Sequence, residues 1–148
     1  MAEVTGHIAT DPEQVWATLA DGWLYSSWVV GTSKIRAVDA GFPEVGTKIH
    51  HAFGAWPALI QDETEVLVSQ PAQHLLLQAR GWPFGEATTA IDLTPSGGGT
   101  AIRIAETPTK GPGAWVNNPL AEAVLKRRLG ECYERLRLLV EGRGQGQA

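Results

Sequence analysis

The sequence predicts an α+β fold, in which a curved antiparallel sheet of six to seven strands wraps around a long C-terminal helix, with two short helices after the first strand. Two observations predict this class. Strand-like segments joined by short turns fill the middle of the chain, and an apolar stripe with helical spacing runs along residues 119–141. Because 148 residues suffice for one core but not for two ordinary domains, we expect one domain over residues 1–142 and a flexible tail over 143–148.

The first elements are a strand over residues 3–8 and a helix that begins at Asp11. The Asp11 side chain is a suitable N-cap, Pro12 suits the first helical position, and Gln14 occupies the position of a capping-box partner. An Asp-Gly pair then interrupts the helix. We therefore expect a second short helix over residues 23–28.

Between residues 33 and 107 the pattern changes to strands, and turn-forming Gly and Pro residues separate them. Each connection is short, so consecutive strands are expected to be antiparallel neighbours. The predicted strands cover residues 33–38, 47–53, 57–68, 74–81, 85–94 and 100–107.

The last predicted element is a long helix over residues 119–141. Asn118 is a good cap, Pro119 a good first residue, and Gly142 a plausible end. Such a helix is roughly 34 Å long at 1.5 Å per residue, so it can cross the whole concave face of the sheet. Its apolar stripe consists of Ala121, Leu125, Leu129, Cys132, Leu136 and Leu139.

Alternation along the strands assigns one face of each strand to the interior, because successive side chains point to opposite faces. Residues directly opposite each other share a face, so each turn tests the assignment. The turns predict the pairs Leu93–Ile102, Thr89–Glu106, Ala79–Ala87, Leu77–Thr89, Val68–Leu75 and His51–Ala58. The interior face is apolar, and its few polar groups are His51, Asp62, Thr64, Thr89 and Glu106.

Short patterns across residues 3–142 resemble the START-like superfamily that is called SRPBCC, and in particular its polyketide cyclase/dehydrase and lipid-transport branch. The resemblance implies a helix-grip fold with a deep apolar pocket between the sheet and the long helix, which holds a small hydrophobic ligand. It does not name the ligand, because one fold serves many functions. The patterns are Ala9-x-x-Pro12-Glu13-x-Val15-Trp16, Tyr25-x-x-Trp28-Val29-x-Gly31, Gly46-x-x-x-His50-His51, Asp62-x-Thr64-x-Val66, Leu75-x-Leu77-x-Ala79-Arg80, Gly99-Thr100, Glu106 and Gly111-Pro112-Gly113.

The candidate ligand-binding residues are interior strand positions, aromatic residues at loop or element ends, and one helix position. The Trp residues either form the rim of the pocket mouth or plug the open end of the sheet. The candidates are Trp28, Trp56, Ile60, Thr64, Leu77, Thr89, Ile91, Ile104, Trp115 and Leu125.

Glu106, His51 and Asp62 are the candidate acid/base residues if the protein is an enzyme. The other interpretation of Glu106 is a structural partner of a buried arginine or of backbone donors. Strict alternation places Arg80 outside the sheet, whereas a bulge would turn it inward toward Asp62 or Glu106. Cys132 lies on the apolar stripe of the helix, which favours a core role over a nucleophile.

Three functions remain open at this stage. The first is binding of a small apolar molecule, with aromatic, polyketide-like and lipid ligands as candidates. The second is a polyketide cyclase or dehydratase, since orienting a reactive chain can itself supply catalysis. The third is a regulatory or antitoxin-like partner. The charged outer side of the predicted helix disfavours it, and this side consists of Arg127, Arg128, Glu131 and Arg135.

Composition limits the partners. The net charge of −4 is unfavourable for binding nucleic acid, and no apolar run reaches the roughly 20 residues of a membrane-spanning helix. The four histidines show no metal-ligand spacing, and no phosphate loop follows the Gly-rich turns, so we expect neither a metal nor another cofactor. A single cysteine and no visible signal peptide indicate a cytoplasmic protein, and a homodimer is compatible with the sequence.

Overall fold

The computed structural model describes residues 1–54, 57–81, 85–111 and 118–146. One antiparallel sheet of seven strands has the order β1-β7-β6-β5-β4-β3-β2, which confirms the predicted α+β class and the helix-grip arrangement. The strands are β1 (Ala2–Ile8), β2 (Thr32–Val38), β3 (Lys48–Phe53), β4 (Ile60–Gln70), β5 (His74–Gly81), β6 (Gly85–Ser96) and β7 (Gly99–Lys110).

The helices are α1 (Pro12–Leu19), a 3₁₀ turn (Gly22–Leu24), α2 (Tyr25–Trp28) and α3 (Pro119–Gly146). Helix α3 begins at the predicted residue, where the Ala121 amide donates to the Asn118 side chain at 2.8 Å. It continues past Gly142, so the predicted end was wrong. A glycine ends a helix when it takes a left-handed conformation, and Gly142 keeps helical backbone angles.

The N-cap of α1 can be tested by mutation. The Gln14 amide donates to Asp11 Oδ1 at 2.9 Å, which satisfies one of the free donors at the helix start. We expect Asp11→Ala to lower the free energy of unfolding by about 1 kcal/mol, measured by denaturant titration. Asp11→Asn should restore most of the loss because asparagine also caps; an equal loss in both variants would contradict the capping role.

Four of the six predicted cross-strand pairs are confirmed, and one of them is Leu77 opposite Thr89. Leu93 lies opposite Ile102. Ala79 lies opposite Ala87. Glu106 lies opposite Thr89. The interior face of β5, β6 and β7 therefore follows the predicted alternation, with Leu77, Ile91 and Ile104 almost completely buried.

Two predicted registers were wrong. Ser69, rather than Val68, lies opposite Leu75, and a β-bulge between Val66 and Val68 restores Val66 to the interior opposite Leu77. A bulge adds one residue to one strand, and strict alternation cannot anticipate it.

The second error concerns the connection between β3 and β4. His51 lies opposite Asp62 instead of Ala58, because β4 begins at Ile60. Gly54 has a φ of 92°, and an added Cβ there would lie 2.7 Å from the Ala58 carbonyl oxygen. Gly54 and Ala58 therefore lie close together, and β4 starts two residues after Ala58, so Ala58 is not part of the β3–β4 ladder.

Helix α3 covers the concave face of the sheet and closes the core. Leu129, Cys132 and Leu136 of the predicted stripe are buried, which confirms the core position of Cys132. Toward the end of the helix the buried position is Val140, which the prediction left out, while Leu139 is only partly buried. The Cys132 sulfur accepts a hydrogen bond from the Val30 amide at 3.4 Å, and burial raises the pKa of its thiol.

A close contact joins α3 to β1. The Tyr133 hydroxyl donates to the His7 carbonyl at 2.9 Å and lies 3.1 Å from the His7 amide, which donates back to it. The neighbouring residue, Gly6, has no side chain in the space that the ring occupies, because a Cβ there would lie 2.2 Å from Tyr133 Cζ. The glycine therefore lets the ring lie flat against the strand.

Charged side chains form cross-strand pairs on the outer face of the sheet. Arg80 lies on this face, as strict alternation predicts, and its Nη1 donates to Glu63 at 3.1 Å while its Nε lies 3.5 Å from Glu86. Arg103 similarly joins Glu3 to Asp92. Arg80 is therefore not the partner of Glu106.

Candidate functional site

A pocket of about 600 Å³ lies at one end of the sheet. The ends of β3 and β5 and the beginnings of β4 and β6 surround it, together with β7 and α3. Its apolar walls include Phe53, Ile60, Ala79, Ala87 and Pro108. Pockets for small organic molecules measure roughly 300–1,000 Å³, so this volume fits such a ligand.

A second, smaller void of about 30 Å³ lies against the buried core. Its walls include Tyr25, Trp28, Leu77, Thr89 and Ile104. It is large enough for about one water molecule and too small for an organic ligand. The residues that line both cavities are Phe53, Ala79, Glu106 and Arg128.

Glu106 and Arg128, which line both cavities, form an ion pair. Arg128 Nη1 donates to Glu106 Oε2 at 2.8 Å, and Arg128 Nε donates to the Val30 carbonyl at 3.0 Å. Only 14% of the Glu106 side chain is exposed. Burial by itself would lower the pKa of the Arg128 guanidinium, but the Glu106 carboxylate together with the neighbouring Cys132 and Tyr25 outweighs it, and the pKa is raised.

The interpretation of Glu106 as the partner of a buried arginine is thus correct, but sequence reasoning missed which arginine. Arg128 was grouped with the charged side of the helix. It stands three residues after Leu125 and four before Cys132, so helical spacing places it beside the apolar stripe. That spacing was the available signal.

A buried polar cluster of His51 on β3, Thr64 on β4 and Tyr25 on α2 lies next to the cavities. His51 Nε2 and Thr64 Oγ1 share a hydrogen bond of 2.8 Å, and the Tyr25 hydroxyl lies 3.4 Å from the same Thr64 oxygen. The His51 ring stacks on Tyr25 and meets Phe53 edge-on, with ring centroids 5.9 and 4.4 Å apart. His51 is therefore separated from the cavities by Phe53 and Tyr25, which line their walls.

Burial controls the protonation of this cluster. Desolvation lowers the pKa of His51 to about 4, although the Asp62 carboxylate acts in the opposite direction. Desolvation also raises the pKa of Tyr25 to about 12, although its hydrogen bond with Thr64 acts in the opposite direction. Both side chains are therefore neutral at pH 7. His51 Nδ1 is buried and has no hydrogen-bond partner among the described residues.

The three candidate acid/base residues do not converge. Glu106 lines both cavities, whereas His51 and Asp62 line neither. The Asp62 carboxylate accepts a hydrogen bond from the Glu63 amide at 2.9 Å. Glu106 is therefore the one candidate of the three that the structure places in a cavity wall.

The candidate ligand-binding residues are distributed over three environments. Ile60 lines the 600 Å³ pocket, and Trp28, Leu77, Thr89 and Ile104 line the small void. Thr64, Ile91 and Leu125 line neither of these cavities; Thr64 and Ile91 are fully buried and Leu125 packs partly buried against the core. Trp56 and Trp115 lie outside the described residues.

Trp28 is not at the pocket rim, where the sequence suggested a tryptophan. Only 3% of it is exposed, and its ring meets Tyr25 edge-on with centroids 5.7 Å apart. The short helix α2 directs the side chain into the core. In the described part of the chain, the pocket wall is built by strand residues, by Gly54 and Ala58 between β3 and β4, and by Arg128 of α3.

In residues 1–54, 57–81, 85–111 and 118–146, no three His, Cys, Asp or Glu residues converge in a way that could hold a metal ion. Among the same residues, no helix has the length and apolar character needed to cross a bilayer.

The chain matches known proteins at the level of family and fold. A family model described as polyketide cyclase/dehydrase and lipid transport matches residues 1–141. No curated protein matches the chain.

Solved structures share the fold over nearly the whole chain. Protein NE0264 from Nitrosomonas europaea has a TM-score of 0.72 at 19% identity, covering 95% of this chain and 94% of its own. A conserved protein from Geobacillus kaustophilus has the same TM-score, identity and coverage. Ara h 8.0201 has a TM-score of 0.71 at 14% identity, covering 95% of this chain and 96% of its own.

Proposed function

This chain belongs to the polyketide cyclase/dehydrase and lipid transport family, and from that premise we propose that it binds a small hydrophobic molecule in the pocket at the end of the sheet. The observation that carries the proposal is the pocket itself, about 600 Å³ with mainly apolar walls. Burying apolar surface contributes roughly 25 cal/mol per Å², so such walls favour an apolar ligand.

The family and the pocket walls support aromatic, polyketide-like and lipid molecules as the ligand class. Phe53 offers an aromatic face, while Ile60, Ala79 and Ala87 offer aliphatic contact. The net charge of −4 supports a small molecule rather than nucleic acid as the partner.

A cyclase or dehydratase activity is the second candidate, and one observation favours it. The Glu106 carboxylate lines the cavity and is held by Arg128, so it is positioned to accept a proton from a bound ligand. His51 and Asp62 add little to this candidate, because neither lines the cavities. Unchanged turnover of a polyketide mimic in Glu106→Gln would exclude Glu106 as the acid/base.

Blocking the pocket tests the binding proposal. Ala87 points into the pocket from β6, so Ala87→Trp should fill part of it. We expect the affinity for the neutral fluorescent probe N-phenyl-1-naphthylamine to fall more than about tenfold, because a steric clash of 1.4 kcal/mol already corresponds to tenfold. Titration of probe fluorescence measures the change. Native mass spectrometry of the freshly purified wild type should also show the added mass of a bound apolar molecule.

The matched control is Thr88→Trp on the same strand. Thr88 lies opposite Gln78 and Thr107, so its side chain projects from the other face of the sheet. This variant should bind the probe like the wild type. Equal affinity in the Ala87→Trp and Thr88→Trp variants, or a wild type that binds no apolar probe, would overturn the proposal.

A further inference from the structure

The pocket wall contains two groups of charged side chains. Arg80 and Lys110 both pair with Glu86, whereas Glu106 and Arg128 form a separate ion pair with unused hydrogen-bonding capacity. The two named bonds of Arg128 use Nε and Nη1, and the bond of Glu106 uses Oε2. Among the described residues, Arg128 Nη2 and Glu106 Oε1 have no hydrogen-bond partner. Both side chains line the 600 Å³ pocket and the small void, so a ligand in the pocket lies beside one donor group and one acceptor that have no partner among the described residues.

The pair is electrically balanced, and this decides what can bind beside it. A ligand carboxylate that approached Arg128 would also meet the Glu106 carboxylate, and an ammonium that approached Glu106 would meet the guanidinium. Burying a charge without a full counter-charge is also far more costly than burying a neutral polar group. A hydroxyl or an enol can instead donate to Glu106 Oε1 and accept from Arg128 Nη2 at the same time.

We propose that Glu106 and Arg128 form a neutral donor–acceptor anchor that selects apolar ligands carrying a hydroxyl or enol group. The apolar body of the ligand lies against Phe53, Ile60 and Ala87, and its polar head points toward α3. This inference rests on the proposed binding function and specifies its ligand class.

A series of naphthalene probes tests the anchor in the wild-type protein. Naphthalene carries no polar head, 2-naphthol carries a neutral hydroxyl, and 2-naphthoate carries a negative charge. We expect 2-naphthol to bind about tenfold more tightly than naphthalene at pH 7, because hydrogen bonds to charged groups are worth about this factor. The anion 2-naphthoate should bind more weakly than 2-naphthol. Isothermal titration calorimetry measures all three affinities.

Removing the negative charge of Glu106 should change the order of the three affinities. In Glu106→Gln the guanidinium lacks its counter-charge, so 2-naphthoate should become the tightest ligand of the three. The matched control is Glu131→Gln on α3, which removes an exposed carboxylate paired with Arg135 and should leave the ranking as in the wild type. Thermal unfolding and near-UV circular dichroism show whether each variant is folded.

The outcomes separate the anchor from the binding function. If naphthalene binds and 2-naphthol binds no more than twofold tighter in the wild type, the anchor is overturned while the proposed function stands. If 2-naphthoate is already the preferred ligand of the wild type, the anchor is also overturned. If no probe binds, the proposed function fails and the anchor fails with it. The wild-type series gives its result even if Glu106→Gln does not fold.

Discussion

The protein should lose about 3 kcal/mol of unfolding free energy between pH 6.5 and pH 4 through His51 alone. Burial lowers the pKa of this histidine from 6.5 in the unfolded chain to about 4 in the folded state. Above pH 6.5 both states hold a neutral ring, and the contribution is zero. Below pH 6.5 only the unfolded chain takes up the proton until the pH nears 4. The free energy of unfolding therefore decreases by about 1.4 kcal/mol for each unit by which the pH is lowered in this range.

Urea unfolding at several pH values, compared between variants, isolates this contribution from that of the carboxylates. His51→Gln cannot gain the proton, so its stability should depend less steeply on pH between 6.5 and 4. The matched control is the adjacent His50→Gln, because His50 lies on the outer face and bonds to Asp39. Identical pH slopes in the wild type and His51→Gln would contradict the burial effect.

Replacing Gly6 by alanine should destabilise the protein by about 2–3 kcal/mol. The new Cβ would lie 2.2 Å from Tyr133 Cζ, far inside van der Waals contact. The ring must then move away from β1, which breaks its two hydrogen bonds with the His7 backbone. Overpacking of this kind costs about 1–3 kcal/mol, and the lost hydrogen bonds add to it. Chemical denaturation measures the difference from the wild type.

Two further measurements identify the cause. Gly130→Ala on α3 places its Cβ in open space, so the same substitution should stabilise the protein by about 0.5–1 kcal/mol through helix propensity. In a Tyr133→Ala background, Gly6→Ala should cost much less, because the colliding ring is gone. An equally large cost in that background would refute the steric explanation.

The fold could be predicted largely because its signals are local and repeat across the chain. Short turns joined the strands in order, and the Leu93–Ile102 and Ala79–Ala87 pairs follow directly from turn length. The errors arose where the backbone departs from strict alternation. The bulge beside Val68 and the tight return at Gly54 each depend on contacts that the sequence pattern does not encode.

The candidate site was harder to predict because it depends on where separate elements meet. Glu106 was placed on the interior face by register alone, but its partner comes from a helix whose rotation about its own axis is fixed only by packing. The alternation of side chains along a strand also does not predict how deeply each side chain is buried. Ile91 and Ile60 share one predicted face, yet Ile91 packs in the core while Ile60 lines the pocket.

The pairing of the first strand with the last has a consequence for biosynthesis. Glu3 lies opposite Ala105, so β1 cannot find its partner until β7 has been made. Bringing β1 and β7 together closes a long loop, and the loss of chain entropy precedes the contacts that compensate for it. During synthesis, β1 therefore stays unpaired until β7 has left the ribosome. The apolar face of the sheet stays exposed until α3 follows. A transcript truncated before that helix should yield an aggregating product.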